Sequence, residues 1–306
     1  MASTSRWKGL LWVFALFLSK VAVAVPALTP LFYQVDYQGK TAWILGSFHV
    51  GKADFYPLPA SIHQALAQSS ALVLEADIQD PQMPQWVQQY GMQPIKADSE
   101  TQQLVDNYCQ PLGICQQLAQ FSPWLQSVQI SMLRFARMGL SPQFGVEQQL
   151  LRLKGSKPLL QLETAQGQLQ MLASFEPKIQ WAMVRDSIQA PDVDIQALVD
   201  AWQRGDRQTI ARLIQQQMQA QGGEPMLDKM LWQRNRQMSQ RLQQLLQQQA
   251  KPLFVAVGSA HLAGDYNLLD YLQQAGANVR DCWQVSCDIN TEQSALLPQK
   301  MDIAPQ

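Results

Sequence analysis

The sequence is poor in charge, cysteine and long apolar runs, and each shortage excludes a class of protein. Only 15% of its 306 residues are charged and the formal net charge is −1. There is no basic run, so the chain lacks the phosphate-neutralising patch of a nucleic-acid binder. Four cysteines are too few for a fold that depends on disulfides. Beyond the N-terminus, no apolar run reaches the roughly 20 residues of a membrane-spanning helix.

Histidine is also scarce, with only His49, His63 and His261 in the chain. Any chemistry that needs an imidazole therefore has almost no choice of residue. Glutamine is abundant instead, at about 50 residues, so amides rather than charges keep the surface polar. With 47% hydrophobic residues, the chain is long enough to bury one large core or two small ones.

The first 24 residues have the pattern of a secretory signal peptide. Arg6 and Lys8 precede an apolar stretch at Gly9–Leu18, and Ala22-Val23-Ala24 is typical of a cleavage site. An uncleaved anchor is the alternative, but ten strongly apolar residues are short for a membrane span. We expect cleavage after Ala24 and a periplasmic or secreted protein with no stable membrane span. Loss of three basic residues with the signal would change the net charge from −1 to −4.

Export changes the interpretation of the four cysteines, which form two close pairs in the sequence. Four cysteines allow three pairings. Nearest-neighbour disulfides, Cys109 with Cys115 and Cys282 with Cys287, are the simplest in an oxidising compartment. A metal site or a redox pair is the alternative, although neither pair has the C-x-x-C spacing. We expect two structural disulfides.

Apolar runs and helical periodicity alternate along the chain. This pattern predicts an α/β (α+β) fold with a mixed β-sheet core, flanking helices and a large helical insertion. We treat residues 25–306 as one domain, with helical middle regions at about 81–153 and 175–249. The predicted strands are Leu31–Tyr37, Thr41–Phe48, Ala71–Glu75, Lys157–Leu162, Pro252–Val257 and Asn278–Trp283. The predicted helices beside them are Ala60–Ser69, Thr164–Ser174 and Ala263–Ala275.

Two of the three histidines occupy matching places at the ends of predicted strands. Gly46-Ser47-Phe48-His49 follows one apolar run, and Gly258-Ser259-Ala260-His261 follows another. One G-x-x-H motif is a weak signal, but two copies at strand ends are stronger. The carboxyl edge of an open α/β sheet is where ligands bind. Two imidazoles meeting there form half of a metal site, whereas His63 lies within a predicted helix and is expected to be a packing or surface residue.

Several carboxylates are expected at the same edge and could complete such a site. Glu75 and Asp77 follow a buried strand, Glu163 follows another, and Glu147 is a further candidate. Each has an ordinary structural alternative, because such groups also cap helices and form salt bridges. Glu163, for example, could interact with the dipole of the helix that it precedes.

Taken together, these motifs resemble the TraB/PrgY/GumN family, to which the Tiki-type metalloproteases are related. The resemblance covers roughly residues 30–285, and its segments are short individually but specific in combination. The matching segments are Leu45–Gly51 with Tyr56–Pro59, Leu72–Asp77, Gly145–Glu147, Leu162–Thr164 with Gln168-Leu169, Arg234-Asn235 and Val257–Gly264.

The resemblance implies a divalent-metal-dependent hydrolase, which in Tiki-like members is proteolytic and supported by manganese or cobalt. We expect manganese, cobalt or zinc as the ion here. The resemblance also implies that His49 and His261 are ligands and that Glu75 is a ligand or the base. Arg234 and Asn235 match a pair expected near the site, where an arginine could stabilise an oxyanion. It assigns no role to Glu147 or Glu163.

The sequence therefore favours an exported peptidase acting on a peptide or protein. A non-catalytic peptide- or signal-binding protein and a metal-dependent esterase remain as alternatives.

Overall fold

The computed structural model describes residues 28–289. The predicted signal peptide, residues 1–24, lies outside the described residues. The described part contains a six-stranded sheet whose strands are β1 (Phe32–Tyr37), β2 (Lys40–Ser47), β3 (Ala71–Leu74), β4 (Leu159–Gln161), β5 (Leu253–Gly258) and β6 (Asn278–Asp281). Their order across the sheet is β4-β3-β5-β2-β1-β6.

The sheet is mixed, as predicted. Strands β4, β3, β5 and β2 run parallel to one another, whereas β1 is antiparallel to both β2 and β6. β1 and β2 form the expected hairpin around Gln38 and Gly39, which both have positive φ. Strand β5, near the end of the chain, inserts between β2 and β3. This insertion makes the two strands that carry the G-x-x-H motifs neighbours, with Ser47 opposite Gly258.

Helices fill the connections between strands. They are α1 (Ala60–Gln68), α2 (Met83–Gly91), α3 (Ser99–Cys109), α4 (Cys115–Leu118), α5 (Pro123–Arg137), α6 (Val146–Leu153), α7 (Ala165–Ala173), α8 (Pro177–Gln189), α9 (Asp192–Arg204), α10 (Arg207–Gln221), α11 (Glu224–Leu227), α12 (Gln233–Gln248) and α13 (Leu268–Gln274). Helices α2–α6 lie between β3 and β4, and α7–α12 lie between β4 and β5. None of the helices in residues 28–289 is long and apolar enough to cross a membrane.

Both faces of the sheet are buried, which explains the unbroken apolar runs of its central strands. Successive side chains point to opposite faces. Leu253, Val255 and Val257 of β5 therefore belong to one core cluster, and Phe254 and Ala256 belong to the other. Leucines of α12 and α13 cover the first face, and residues of α1 and α6 cover the second.

One predicted helix is shorter than its apolar pattern suggested. The pattern indicated Ala263–Ala275, but α13 begins only at Leu268. The Asn267 side chain accepts hydrogen bonds from the backbone N–H groups of Leu269 and Asp270, which fixes the N-cap there. A 3₁₀ turn, Ser259–Leu262, follows β5 instead and carries His261.

The structure contains both expected disulfides. Cys109 at the end of α3 pairs with Cys115 at the start of α4, with a Cα–Cα distance of 4.9 Å. Cys282 and Cys287, beyond β6, are 5.3 Å apart at their Cα atoms. Each bond therefore closes a small loop, as the spacing predicted.

Candidate metal centre

The parallel strands bring four predicted site residues to one edge of the sheet. Glu75 directly follows β3, and the other three lie within three residues of the ends of β2, β4 and β5. The carboxyl ends of parallel strands share one edge, so the strand order places Glu163, Glu75, His261 and His49 side by side.

Gly258, the last residue of β5, forms the floor of a small space between three of these side chains. A methyl group on its α-carbon would lie 3.3 Å from Glu75 Oε1, 3.6 Å from His49 Nε2 and 3.8 Å from His261 Cδ2. Its φ of −51° and ψ of 136° are open to any residue. The glycine is therefore required for the space above it and not for a turn.

His261 is held with its Nε2 lone pair towards Glu75. Asn235 Nδ2 donates to the carbonyl oxygen of Tyr266 at 2.9 Å, so Asn235 Oδ1 is the atom that accepts from His261 Nδ1 at 2.6 Å. With its proton on Nδ1, the ring presents an unprotonated Nε2, 3.6 Å from Glu75 Oε1. His261 is only 4% exposed, and burial lowers its pKa to about 4, which keeps the imidazole neutral.

His49 is oriented in the same way by a different partner. Its Nδ1 lies 2.8 Å from Glu147 Oε1, and the Ser47 hydroxyl donates to the same oxygen. Nε2 therefore faces the space above Gly258. The Glu147 carboxylate raises the pKa of His49 to about 9. Burial raises the pKa of Glu147, but the imidazole and the Ser47 hydroxyl outweigh it and hold this pKa below its usual range.

Backbone hydrogen bonds between two loops place Glu147 beside His49. The backbone N–H of Val146 donates to Phe48 O at 3.0 Å, and Gly51 exchanges two hydrogen bonds with Ser141. A side chain on Gly145 would collide with the carbonyl oxygen of His49. Only glycine allows this approach, which brings the first turn of α6 and its Glu147 against the His49 loop.

Glu75 is fixed at both carboxylate oxygens. The backbone N–H of Gly258 donates to Oε1 at 2.6 Å, and Arg234 Nη2 donates to Oε2 at 2.7 Å. Burial acts to raise the pKa of Glu75, but His261, Arg234 and His49 together outweigh it and lower the pKa to about 2. Glu75 is thus an ionised carboxylate over the whole ordinary pH range.

Arg234 joins Glu75 to Glu163. Its Nε lies 3.0 Å from Glu163 Oε1, and its Nη2 lies 2.8 Å from Glu163 Oε2. Gln168 donates to Glu163 at 2.9 Å, and Arg234 Nη1 donates to Met230 O at 3.1 Å. Burial would lower the pKa of Arg234, but the two carboxylates raise it above its usual value.

A π-helical turn, Asp228–Trp232, precedes Arg234 and Asn235 at the start of α12. Such turns insert an extra residue into a helix and are frequent at functional sites. Successive helical residues point about 100° apart. Arg234 therefore faces the carboxylates after β3 and β4, and Asn235 faces the histidine after β5.

The other predicted residues lie outside this group. The Asp77 carboxylate accepts a hydrogen bond from the Gln79 backbone at 2.9 Å, and Asp77 does not join the cluster. His63 lies in α1, and its Nε2 is buried without a partner among the described residues. Sequence reasoning missed Ser47 and gave Gln168 no role. Ser47 lies within the first G-x-x-H motif, so the motif itself contained the signal.

The donor set fits a divalent transition metal. Two imidazole nitrogens and one carboxylate oxygen, with positions left open, are typical ligands of catalytic metals. A metal ion at His49 Nε2 would displace the proton of that imidazole. With both imidazoles neutral, three carboxylates and one guanidinium would leave two negative charges for a divalent ion to balance. The donor atoms of His49, His261 and Glu75 do not all lie within 4.8 Å of one another. Among residues 28–289, the group of three potential donors that does is Asp106, Cys109 and Cys115, and its two cysteines form a disulfide. Binding of one ion by all three residues of the candidate site thus requires their donor atoms to come closer together.

Comparison with known proteins supports the resemblance found in the motifs. The chain is 26% identical over 253 residues to an uncharacterized protein, YbaP, of Escherichia coli K12, covering 75% of this chain and 87% of the relative. YbaP of Shigella flexneri matches equally. No solved structure matches the chain significantly. A model of the TraB/PrgY/gumN family matches residues 31–281. These residues make up most of the chain, which therefore belongs to the TraB/PrgY/gumN family.

Proposed function

We propose that this protein is a divalent-metal-dependent hydrolase, and specifically a peptidase. His49, His261 and Glu75 would hold the ion, which we expect to be manganese, cobalt or zinc. One observation supports this most directly: the three side chains surround a space that a single methyl group on Gly258 would fill. Each also has a second partner that directs its donor atom there.

The surroundings of each side chain favour particular roles. When bound, a divalent ion polarises a carbonyl group and lowers the pKa of water. With a pKa of about 2, Glu75 is a poor proton acceptor and is better suited to the ligand role than to that of the base. Arg234 holds Glu75 Oε2, which leaves Oε1 directed towards the imidazoles. Asn235 and Glu147 are then positioning residues for His261 and His49.

Export is part of the proposal. The two disulfides are bonds that persist in oxidising compartments. They support a periplasmic or secreted protein, with residues 25–306 as the mature chain after signal cleavage.

The first test is metal analysis of the purified protein. We expect one bound equivalent of manganese, cobalt or zinc in the wild type and loss of most of it in His49→Ala and His261→Ala. His63→Ala is the matched control, because His63 lies in α1. Metal content that is unchanged in both site variants would contradict the assignment.

The second test is digestion of a peptide library with and without chelator. The proposal expects cleavage that stops when the chelator is added, returns with added metal and is absent in Glu75→Ala. Tight peptide binding without any cleavage would instead identify a non-catalytic binding protein. Cleavage confined to an ester panel would identify an esterase.

A further inference from the structure

A groove next to the candidate metal centre carries features of a substrate-binding site. It has a volume of about 360 Å³ and lies beyond the edge strand β4. Helix α7 forms one wall, and the π-helical turn with the start of α12 forms the other. Glu163, Arg234 and Gln168 are among the residues that line it. Gln168 and Arg234 hydrogen-bond to Glu75, and Arg234 also hydrogen-bonds to Glu163. Glu75 therefore lies directly behind the residues that line the groove.

The groove walls offer amides whose hydrogen-bonding capacity is largely unused. Gln168, Gln233 and Gln237 line the walls. The Gln168 and Gln233 nitrogens donate to carboxylates, which leaves their oxygens available. No other described residue hydrogen-bonds to the Gln237 side chain. A glutamine amide both donates and accepts, so these walls match the alternating N–H and C=O groups of an extended peptide.

Two cationic side chains line the groove, Lys229 and Arg234. Of these two, Lys229 has no carboxylate partner among residues 28–289. Its Nζ lies 4.5 Å from the centre of the Phe175 ring and 3.4 Å from Ser174 O. Arg234, by contrast, is neutralised by Glu75 and Glu163. The ring and the carbonyl oxygen hold the Lys229 ammonium at the groove without balancing its charge. An anionic group on the occupant would balance it.

Lys229 and Arg234 lie on the same wall of the groove, in the π-helical turn and at the start of α12. Arg234 is the one of the two that contacts Glu75. A peptide whose anionic group lies at Lys229 can therefore follow this wall towards Glu75.

We infer that the groove binds an extended peptide that carries a carboxylate, and that Lys229 recognises this carboxylate. This inference rests on the proposed function, because it concerns the substrate of the same site. The carboxylate could be the C-terminus of the peptide or an Asp or Glu side chain. The experiment distinguishes these sources.

Binding is measured separately from cleavage, by fluorescence anisotropy on chelator-treated full-length protein. The probes are labelled peptides that match a cleaved library sequence, or a fixed alanine-rich sequence if none is cleaved. One pair differs by Glu or Gln at a single internal position, and a second pair by a free or amidated C-terminus. We expect the carboxylate of one pair to tighten binding about fivefold in the wild type. This preference should decrease at high salt, because added ions screen the charge.

The variants show whether Lys229 causes the preference. Lys229→Gln should reduce it to less than twofold. Lys40→Gln, at the opposite end of β2, makes the same change of charge away from the groove and should retain it. Equal binding of charged and neutral peptides by the wild type, or a preference that survives Lys229→Gln, would overturn the inference. Failure of the proposed function looks different, since peptides would then bind with this preference but would not be cleaved with any metal.

Discussion

At the scale of single residues, the candidate site depends on side chains that are not themselves proposed metal ligands. Glu147 and Asn235 each hydrogen-bond to Nδ1 of one histidine, so Nε2 is the nitrogen that could bind an ion. Partners of this kind fix the ring orientation and tautomer of metal-binding histidines, and their loss typically costs 10–100-fold in metal affinity. In the proposed site, Asn235 is therefore a positioning residue for His261.

Asn235→Ala should lower metal affinity by about 10–100-fold, because His261 Nδ1 loses its buried acceptor. Asn235→Asp keeps an acceptor at that position and should stay within about threefold of the wild type. Titration calorimetry with zinc or manganese measures both affinities, and thermal unfolding confirms that both variants are folded. Wild-type affinity in Asn235→Ala would show that the amide does not orient the ring.

Gly258 permits the sharpest single-residue test. Gly258→Ala should abolish metal binding with little loss of stability, because the new methyl group occupies the space between the ligands while the backbone angles suit alanine. Gly222→Ala is a matched control, since its methyl group would meet a side chain at the same 3.3 Å distance elsewhere in the molecule. Retention of metal by Gly258→Ala would place the ion elsewhere.

At the scale of elements, insertion of β5 between β2 and β3 creates the site. Without that insertion, His49 and His261 would not follow neighbouring strands. The two G-x-x-H motifs are close but not equivalent, because Gly46 pairs with Val257 whereas Gly258 pairs with Ser47. This one-residue offset accompanies the contrast between an exposed His49 and a buried His261.

The disulfides stabilise elements away from the site. Cys282→Ser with Cys287→Ser should lower the free energy of unfolding by about 2 kcal/mol, as expected for a small closed loop. The loop also holds Trp283, whose Nε1 donates to Pro30 O at 2.6 Å. Urea unfolding measures the change, and Cys109→Ser with Cys115→Ser is the parallel variant. Metal content should be unchanged in both, and a loss of metal in either would connect that disulfide to the site.

At the scale of the whole molecule, the proposed ligands come from residues 49, 75 and 261. These positions follow three separate strands, so the site exists only when the sheet is complete. An ion that binds there binds the folded protein and not the unfolded chain.

Metal binding should therefore raise the stability of the whole protein. At a free metal concentration 100 times the dissociation constant, the gain is about 2.7 kcal/mol, or roughly 5–10 °C in melting temperature for a chain of this size. Thermal unfolding with added metal, and then with chelator, measures the shift. His261→Ala should show no shift, and an equal rise in that variant would indicate binding elsewhere.

Much of this fold could be predicted because its signals are local. Apolar runs identified every strand of the sheet, and the Gln38-Gly39 turn identified the hairpin. The α13 boundary was missed because the apolar pattern continues past the point where the Asn267 cap starts the helix. The roles of Glu147 and Glu163 could not be predicted, since each depends on contacts between residues far apart in the chain.

By itself, the sequence determined the strands, the disulfide pairs and the histidines at strand ends, because these follow from neighbouring residues and short spacings. Only the tertiary structure decided which side chains meet. The position of β5 in the sheet, the approach of Gly145 to His49 and the open space above Gly258 all depend on long-range packing. Only three histidines occur in the chain, and long-range packing brings His49 and His261 together at one sheet edge.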